Sequence, residues 1–221
     1  MHIPDGFLSP ITYAATTVAA AALLFIAFKK IRVGEEEERL GQLAASVSLV
    51  FLGQMIAIPL PGGTSGHAVG VAMLTLLFGP WRAMVAIGIL LAIEALLFGN
   101  GGVTTWGLNT LAMGCVGSVV TWLVWQATSR WPILWRYALA GYLSVSVASL
   151  LVAVVLGVQP LIAHDASGRP LYFPFGLEVT LGAITGMHLV LFGPLEAILT
   201  VGAMKVLTNE RLGIGYDQRE A

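Results

Sequence analysis

The first residues of the chain, MHIPDGFLSP, place an imidazole directly after the first methionine, with no lysine or arginine nearby. If Met1 keeps a free amine, that amine, the amide nitrogen of His2 and Nδ1 of its ring close two adjacent chelate rings. Three nitrogens then lie in one plane and leave a fourth corner open. Square-planar nitrogen coordination suits Ni(II), Cu(II) and low-spin Co(II), and suits Zn(II), Mg(II) and Ca(II) badly.

A second histidine, His67, ends the glycine-rich stretch PLPGGTSGH at 59–67. Gly62, Gly63 and Gly66 allow sharp turns, so this loop can bring the His67 ring to His2 as a fourth nitrogen ligand. A plainer interpretation stays open, because short patterns are often accidental. In that interpretation His2 is an ordinary second residue, and His67 caps a helix or binds a backbone carbonyl.

Three other polar residues are candidates for supporting such a site. Asp5 is placed to accept a hydrogen bond from an imidazole and to fix which ring nitrogen is protonated. The alternative for Asp5 is a local turn over residues 4–6. Ser65 lies in the loop of His67, and Asn109 in the stretch GGVTTWGLNT is expected to tie backbone or loop groups together.

Three ionisable residues lie inside apolar stretches, where an unbonded polar group is costly: His188, Glu94 and Glu196. His188 is a partner that supports the metal site, a later station for an ion, or a hydrogen bond between helices. Glu196 follows His188 by two helical turns, about 80° further round the helix, so the two share a broad face. Both glutamates are candidates for a polar interior or a coupling contact.

The composition predicts the elements that must position these residues. Of the 221 residues, 57% are hydrophobic and only 10% are charged, against about a quarter in soluble domains. The apolar stretches are near the length of a membrane-spanning helix. We therefore expect an all-α integral membrane protein with one transmembrane domain over 1–221, comprising a metal-binding segment 1–9, a bundle of about seven helices and a cytoplasmic tail 208–221. The predicted spans are 10–28, 41–59, 67–79, 82–98, 105–127, 137–158 and 179–207, of which the third is short and flanked by glycines.

The positive charges orient this bundle. With seven spans, one side of the membrane receives Arg169 alone, whereas the other receives ten positive residues: Lys29, Lys30, Arg32, Arg39, Arg82, Arg130, Arg136, Lys205, Arg211 and Arg219. Positive residues favour the cytoplasmic side. This distribution predicts an N-terminus that is outside and folded into the bundle, and a C-terminus in the cytoplasm.

Several motifs of catalysis and nucleotide binding are missing from the sequence. None of the three lysines lies in a G-x-x-x-x-G-K-[ST] motif, so the chain has no P-loop for ATP. There is no C-x-x-C, H-E-x-x-H or G-x-S-x-G either. The single cysteine, Cys115, excludes an internal disulfide.

Four stretches in this order, MHIPDGFLSP, PLPGGTSGHAVG, GGVTTWGLNT and GMHLVLFGPLEAILT, resemble the CbiM/NikM family over nearly the whole chain. These are the substrate-binding membrane subunits of energy-coupling-factor transporters for cobalt and nickel. The resemblance implies a helical bundle with an extra N-terminal helix and a metal bound by nitrogens of Met1, His2 and His67. The second stretch lacks the His-Pro-Thr run of many cobalt members, which favours nickel without deciding the metal.

The expected function is high-affinity capture of Ni²⁺, with Co²⁺ second, in a multi-pass protein of the cell (inner) membrane. The expected partners are a membrane coupling (T) subunit, cytoplasmic ATPase subunits and a small accessory membrane subunit, with no nucleic acid. We do not expect an enzyme, because ATP hydrolysis falls to the partners. Two alternatives stay open: a self-sufficient channel or ion-coupled permease with a pathway through Glu94, His188 and Glu196, and an intramembrane enzyme with a His/Glu site. Neither explains a histidine at position two.

Overall fold

The computed structural model of the chain describes residues 1–31, 37–60 and 65–208. Gly62 and Gly63, which were expected to turn the loop before His67, lie outside these residues. The predicted cytoplasmic tail lies outside them beyond Thr208.

The described residues are mostly helical. A short hairpin joins strands β1, Ile58–Pro59, and β2, Ser65–Gly66, which pair antiparallel. The helices are α1, Pro10–Lys30; α2, Glu37–Gln54; α3, Val71–Phe78; α4, Pro80–Phe98; α5, Trp106–Ala127; α6, Ile133–Ile162; and α7, Leu177–Leu207.

Local sequence signals explain where several helices begin and end. Proline occupies the first position of α1 at Pro10 and of α4 at Pro80, where its missing N–H is not needed. Lys29 and Lys30 lie in the last turn of α1, where positive charge complements the helix dipole. Gly99 ends α4 with a φ of 65°, a conformation that glycine adopts without strain.

Five of the helices, α1, α4, α5, α6 and α7, are long and apolar enough to cross a membrane. Helix α2 contributes a shorter apolar stretch, Leu40–Gln54. The predicted third span, 67–79, is not a spanning helix, because its helical part is only Val71–Phe78. Eight residues of α-helix rise about 12 Å, less than half of the hydrocarbon thickness of a bilayer.

Helix α3 begins inside the bundle rather than at its end. A Cβ added at Gly117, near the midpoint of α5, would press against the side chain of Val71, the first residue of α3. Gly70, which precedes α3, packs in the same way against Val50 of α2. The stretch 65–70 therefore brings a non-helical backbone from the hairpin into the interior. Such backbone is tolerated at depth only where protein groups bond it.

Four helical stretches have π-helical hydrogen bonding: Glu94–Phe98 in α4, Thr110–Val116 in α5, and Leu181–Gly186 and His188–Phe192 in α7. Two of them begin at Glu94 and His188, the ionisable residues that the sequence places inside the spans. Single π-turns within α-helices are frequent at functional sites because they redirect side chains. The four stretches therefore mark α4, α5 and α7 as the helices that shape the interior.

Candidate metal centre

The N-terminal segment, residues 1–9, lies across one end of the bundle, and hydrogen bonds fix it there. The amide of Ile3 donates to Oδ1 of Asn109 at 3.1 Å. The carbonyl of Ile3 accepts from the amide of Gly102 at 2.9 Å and from Oγ1 of Thr105 at 2.5 Å. The side chain of Ile3 is fully buried in the hydrophobic core. Asn109 thus ties the backbone of this segment to α5, as expected from the sequence.

Further along the segment, Phe7 and Ser9 are hydrogen-bonded to the end of α6 and to the loop that follows it. The carbonyl of Phe7 accepts from the amide of Phe173 at 3.3 Å, and the two rings lie 5.2 Å apart. The amide of Ser9 donates to Oε1 of Gln159 at 3.0 Å. The segment is therefore held by the loops after α4 and α6 and by α5, which gather at the same end of the bundle.

Asp5 does not have the expected role of orienting an imidazole. Its carboxylate accepts from the amides of Val103 and Thr104, at 3.2 and 2.8 Å, and from Oγ1 of Thr104 at 2.5 Å. Burial acts to raise the pKa of Asp5, but the hydrogen bonds from Thr104 and Val103 outweigh it and lower that pKa. Asp5 therefore anchors the N-terminal segment to the loop 99–105.

The amine of Met1 is buried, and it donates a hydrogen bond to the carbonyl of Ser65 in β2. Burial lowers the pKa of this amine to about 4, and the Glu94 carboxylate opposes part of the shift. The amine is therefore neutral at pH 7 and keeps a lone pair. Ser65 contributes its backbone carbonyl to the site.

The His2 ring is buried beside Glu94, with Nε2 2.8 Å from Oε2 of the carboxylate. Because a carboxylate accepts hydrogen bonds, an Nε2–H directed at Glu94 leaves the lone pair on Nδ1. Neither nitrogen of the His2 ring makes a hydrogen bond of normal geometry within the described ranges, so the approach of Nε2 to Glu94 is a short charge-pair contact. Burial, and then the neighbouring terminal amine, lower the pKa of His2 to about 3. Glu94 thus occupies the place that the sequence offered to Asp5.

The His67 ring has the opposite arrangement of its nitrogens. Nδ1 lies 2.9 Å from the carbonyl of Ala68, which can only accept, so Nδ1 carries the proton. Nε2 is buried without a partner among residues 1–31, 37–60 and 65–208. Burial, then the terminal amine and the His2 ring, lower the pKa of His67 well below its usual value. The lone pair on Nε2 is therefore free at neutral pH.

The two imidazoles are stacked on each other in the interior. Their centroids are 4.4 Å apart, and their planes differ by 19°. Two imidazoles bound at adjacent corners of a square, each about 2 Å from the metal, would have centroids about 4.4 Å apart by simple geometry. The observed spacing therefore fits two rings that share one ion.

His188 lies in the interior of α7 and is fully buried. Its Nδ1 donates to the carbonyl of Ile184 at 2.7 Å, one turn earlier in the same helix. The expected hydrogen bond between helices is therefore not the one that this ring makes. Its Nε2 lacks a partner in the described part of the chain, and its ring centroid lies 5.0 Å from that of Phe192.

Glu196 is buried in α7 and accepts two backbone hydrogen bonds from the stretch that follows His67. It therefore belongs to a polar interior, as expected, and touches the backbone rather than an imidazole.

Side chains alone do not make a metal site in the described residues, which hold no cluster of three or more His, Cys, Asp or Glu suited to an ion. A metal site at His2 and His67 therefore needs ligands beyond these four side-chain types, and nitrogens of the backbone are the nearest candidates on the sequence argument. A cleft of about 250 Å³ opens beside His2 and gives access to it, with walls formed by Pro4, Ala57, Pro59, Ser65 and Asn100.

Sequence reasoning missed Thr105 and the exact fit of Gly102. A Cβ at Gly102 would overlap the backbone nitrogen of Asp5, so only glycine lets the N-terminal segment and the loop 99–105 lie this close. The paired glycines in GGVTTWGLNT were the available signal, but the sequence does not say which segment approaches them.

Comparisons with known proteins identify the family of this chain. The family CbiM, described as "Cobalt uptake substrate-specific transmembrane region", matches residues 2–213. The chain is 39% identical over 204 residues to a probable fused nickel transport protein LarMN of Lactiplantibacillus plantarum, covering 91% of this chain and 62% of that protein. It is 39% identical over 208 residues to the fused nickel transport protein NikMN of Rhodobacter capsulatus, covering 91% and 60%.

The chain spans about three fifths of the length of these two curated relatives. Its fold also matches a crystal structure of a transition metal transporter with a TM-score of 0.91 and 34% sequence identity, over 99% of this chain and 100% of that one.

Proposed function

The chain belongs to the CbiM family of substrate-specific transmembrane regions, and we propose that it captures Ni²⁺, with Co²⁺ as the close alternative, for an ATP-driven importer. The observation that carries the proposal is that the Met1 amine and the stacked rings of His2 and His67 are buried together. Nδ1 of His2 and Nε2 of His67 have no hydrogen-bond partner in the part of the chain described, and burial keeps the Met1 amine neutral.

The ligand set follows from these positions and from covalent connectivity. The Met1 amine, the His2 amide and Nδ1 of His2 chelate the ion in one plane, and Nε2 of His67 fills the fourth corner. The amide must lose its proton, which requires a strongly polarising late transition metal, so this set favours Ni(II) or Cu(II) over Zn(II). The proposal requires a free amine on Met1.

Glu94 supports this ligand set through its contact with Nε2 of His2. A carboxylate that accepts the second N–H of a metal-bound histidine fixes its tautomer and raises its basicity. The ion and the deprotonated amide together carry one positive charge, and the Glu94 carboxylate supplies one negative charge in the same buried place. We therefore assign Glu94 the role of orienting His2 and balancing the charge of the loaded site.

The predicted orientation gives this site access from outside. The hairpin, the loop 99–105 and the loop before α7 all meet the N-terminal segment at one end of the bundle. Arg136 and Lys205, from the positive group of residues, belong to the first turns of α6 and the last turns of α7. By the positive-inside rule, the end with the site faces outward.

Energy for uptake must come from other subunits. We propose a membrane coupling subunit and cytoplasmic ATPase subunits, because this chain has no P-loop. The nickel transport relatives named as fused proteins extend well beyond the matched region, which supports a further membrane partner, such as a small accessory subunit.

The experiment is a titration of the purified chain, with its Met1 amine intact, with Ni²⁺, Co²⁺, Cu²⁺ and Zn²⁺ by calorimetry, followed by X-ray absorption of the nickel complex. We expect one tight nickel site with four nitrogen neighbours, and three such neighbours in His67→Ala. His164→Ala is the matched control, because His164 is exposed and should leave binding unchanged. A shell of oxygens, or an unchanged shell in His67→Ala, would contradict the ligand set.

The permease alternative has its own outcome. Vesicles that contain this chain alone should not take up nickel if partner ATPases supply the energy. Uptake by the chain alone would favour the self-sufficient permease.

A further inference from the structure

Glu196 uses both carboxylate oxygens on the stretch that carries His67. Its Oε2 accepts from the amide of Val69 at 2.8 Å, and its Oε1 accepts from the amide of Gly70 at 2.7 Å. Glu196 is 1% exposed. The carboxylate therefore makes a two-point clamp between α7 and a backbone segment far away in the sequence.

The clamp lies where this backbone most needs an acceptor. Gly70 is the residue before α3, it has a φ of 71°, and it offers no side chain to cap the helix. Because α3 begins inside the bundle, water does not replace a missing cap there. A carboxylate at this helix end is also favoured by the helix dipole.

The clamp reaches His67 through a single residue. Ala68 joins His67 to Val69, and the carbonyl of Ala68 is the acceptor that fixes Nδ1 of His67. On the opposite side, Nε2 of Gln54 in α2 donates to the carbonyl of Val69 at 2.9 Å. The backbone after His67 is therefore held between α2 and α7.

Helix α7 also touches the residue before His67. A Cβ at Gly66 would overlap the ring of Phe192, one turn before Glu196. An apolar groove of about 380 Å³ runs beside this contact, between α2, α3 and α7, and Ala68, Gly70 and Glu196 lie in its wall.

We propose that Glu196 is a positioning residue for the metal site: it holds Nε2 of His67 at the fourth corner and transmits movements of α7 to that ligand. This inference rests on the proposed function, since it assumes that His67 binds the ion. A displacement of α7 that breaks the clamp then releases His67 first and leaves the chelate of Met1 and His2 incomplete.

The test uses Glu196→Gln in the full chain with an intact Met1 amine. Glutamine has the same shape, but its amide nitrogen faces a backbone N–H and cannot accept from it. We expect nickel affinity to fall by about 10- to 100-fold, through faster dissociation, as for other residues that orient ligands. X-ray absorption of the loaded variant should show three nitrogen neighbours in place of four.

A double-mutant cycle separates positioning from general stability. If Glu196 acts through His67, the variant His67→Ala/Glu196→Gln binds nickel no more weakly than His67→Ala alone. Additive losses would overturn the inference. Thr200→Val, one turn further along α7 and equally buried, is the matched control and should keep the wild-type affinity.

Two further outcomes keep the tests distinct. If Glu196→Gln does not fold, Glu196→Asp replaces it; its shorter side chain should give an intermediate affinity, and an unchanged affinity would overturn the inference. If the wild type binds nickel and His67→Ala weakens it while Glu196→Gln does not, this inference alone fails. If the wild type binds neither nickel nor cobalt, the proposed function fails.

Discussion

Each of the two imidazoles at the site is committed at one nitrogen to an oxygen acceptor, and this pairing decides which nitrogen is left for an ion. Nε2 of His2 lies 2.8 Å from the Glu94 carboxylate, and Nδ1 of His67 is hydrogen-bonded to the carbonyl of Ala68. Opposite nitrogens of the two rings are therefore free, as a chelate through Nδ1 of His2 requires.

Single residues differ in how far the sequence could identify them. His2 and His67 could be selected because the chelate at residues 1 and 2 is encoded by covalent connectivity. The partner of His2 could not be identified from the sequence, since both Asp5 and Glu94 were available and only the fold decides between them. Asp5 is bound by one hydrogen bond from Val103 and two from Thr104, and Glu94 is left facing the ring.

A first prediction concerns Glu94. Glu94→Leu should weaken nickel binding by about 10- to 100-fold, because the N–H of His2 loses its acceptor and the ring loses its orientation. Glu94→Gln should lie between leucine and wild type, because its carbonyl still accepts while its charge is gone. Calorimetric affinities measure both. Glu178→Gln, an exposed carboxylate in the first turn of α7, is the control; equal affinities in all four proteins would remove Glu94 from the site.

At the scale of elements, hydropathy located five helices that are long and apolar enough to cross a membrane. It could not show that the third predicted span begins with four non-helical residues, 67–70. That stretch is as apolar as a helix, and what keeps its first residues out of the helix is tertiary: the carboxylate of Glu196 and the amide of Gln54 satisfy the backbone of Val69 and Gly70. The π-helical turns at Glu94 and His188 likewise have no local signal in the sequence.

The second prediction concerns the contact between the N-terminal segment and the loop 99–105. Gly102→Ala places a methyl group on the backbone of Asp5, so the segment must move away and the Met1 amine with it. Nickel affinity should fall while the helical content stays the same, as measured by calorimetry and circular dichroism. Gly182→Ala has open space around it and should behave as wild type. Unchanged nickel binding in Gly102→Ala would show that the N-terminal segment does not need its close contact with Gly102.

For the whole molecule, the notable property is a set of bases kept neutral by burial. The pKa of the Met1 amine is lowered to about 4 and that of His2 to about 3, and that of His67 is also lowered. A base with a lowered pKa takes up protons in the unfolded state before it does so in the folded state. Acid therefore favours unfolding, beginning as the pH falls below the ordinary values of these groups.

The third prediction follows for the metal-free protein. The stability that these bases contribute should be lost between about pH 7.5 and pH 5, because the unfolded amine and histidines gain protons there. The His67→Asn variant should lose less stability than the wild type over this pH range. It removes one such base and keeps Glu94 and the other groups unchanged. Tryptophan fluorescence in detergent measures the transition. Equal pH dependence in the two proteins would mean that His67 is not buried as a neutral ring.

The most direct measurement compares one chain before and after its first amine is released. The chain is expressed behind a removable N-terminal domain whose protease leaves no extra residue, and nickel binding is measured by calorimetry in both forms. We expect no tight binding in the fused form, whose Met1 nitrogen is an amide, and a single tight site after cleavage. Equal affinity in the two forms would contradict the proposal that the Met1 amine binds the ion.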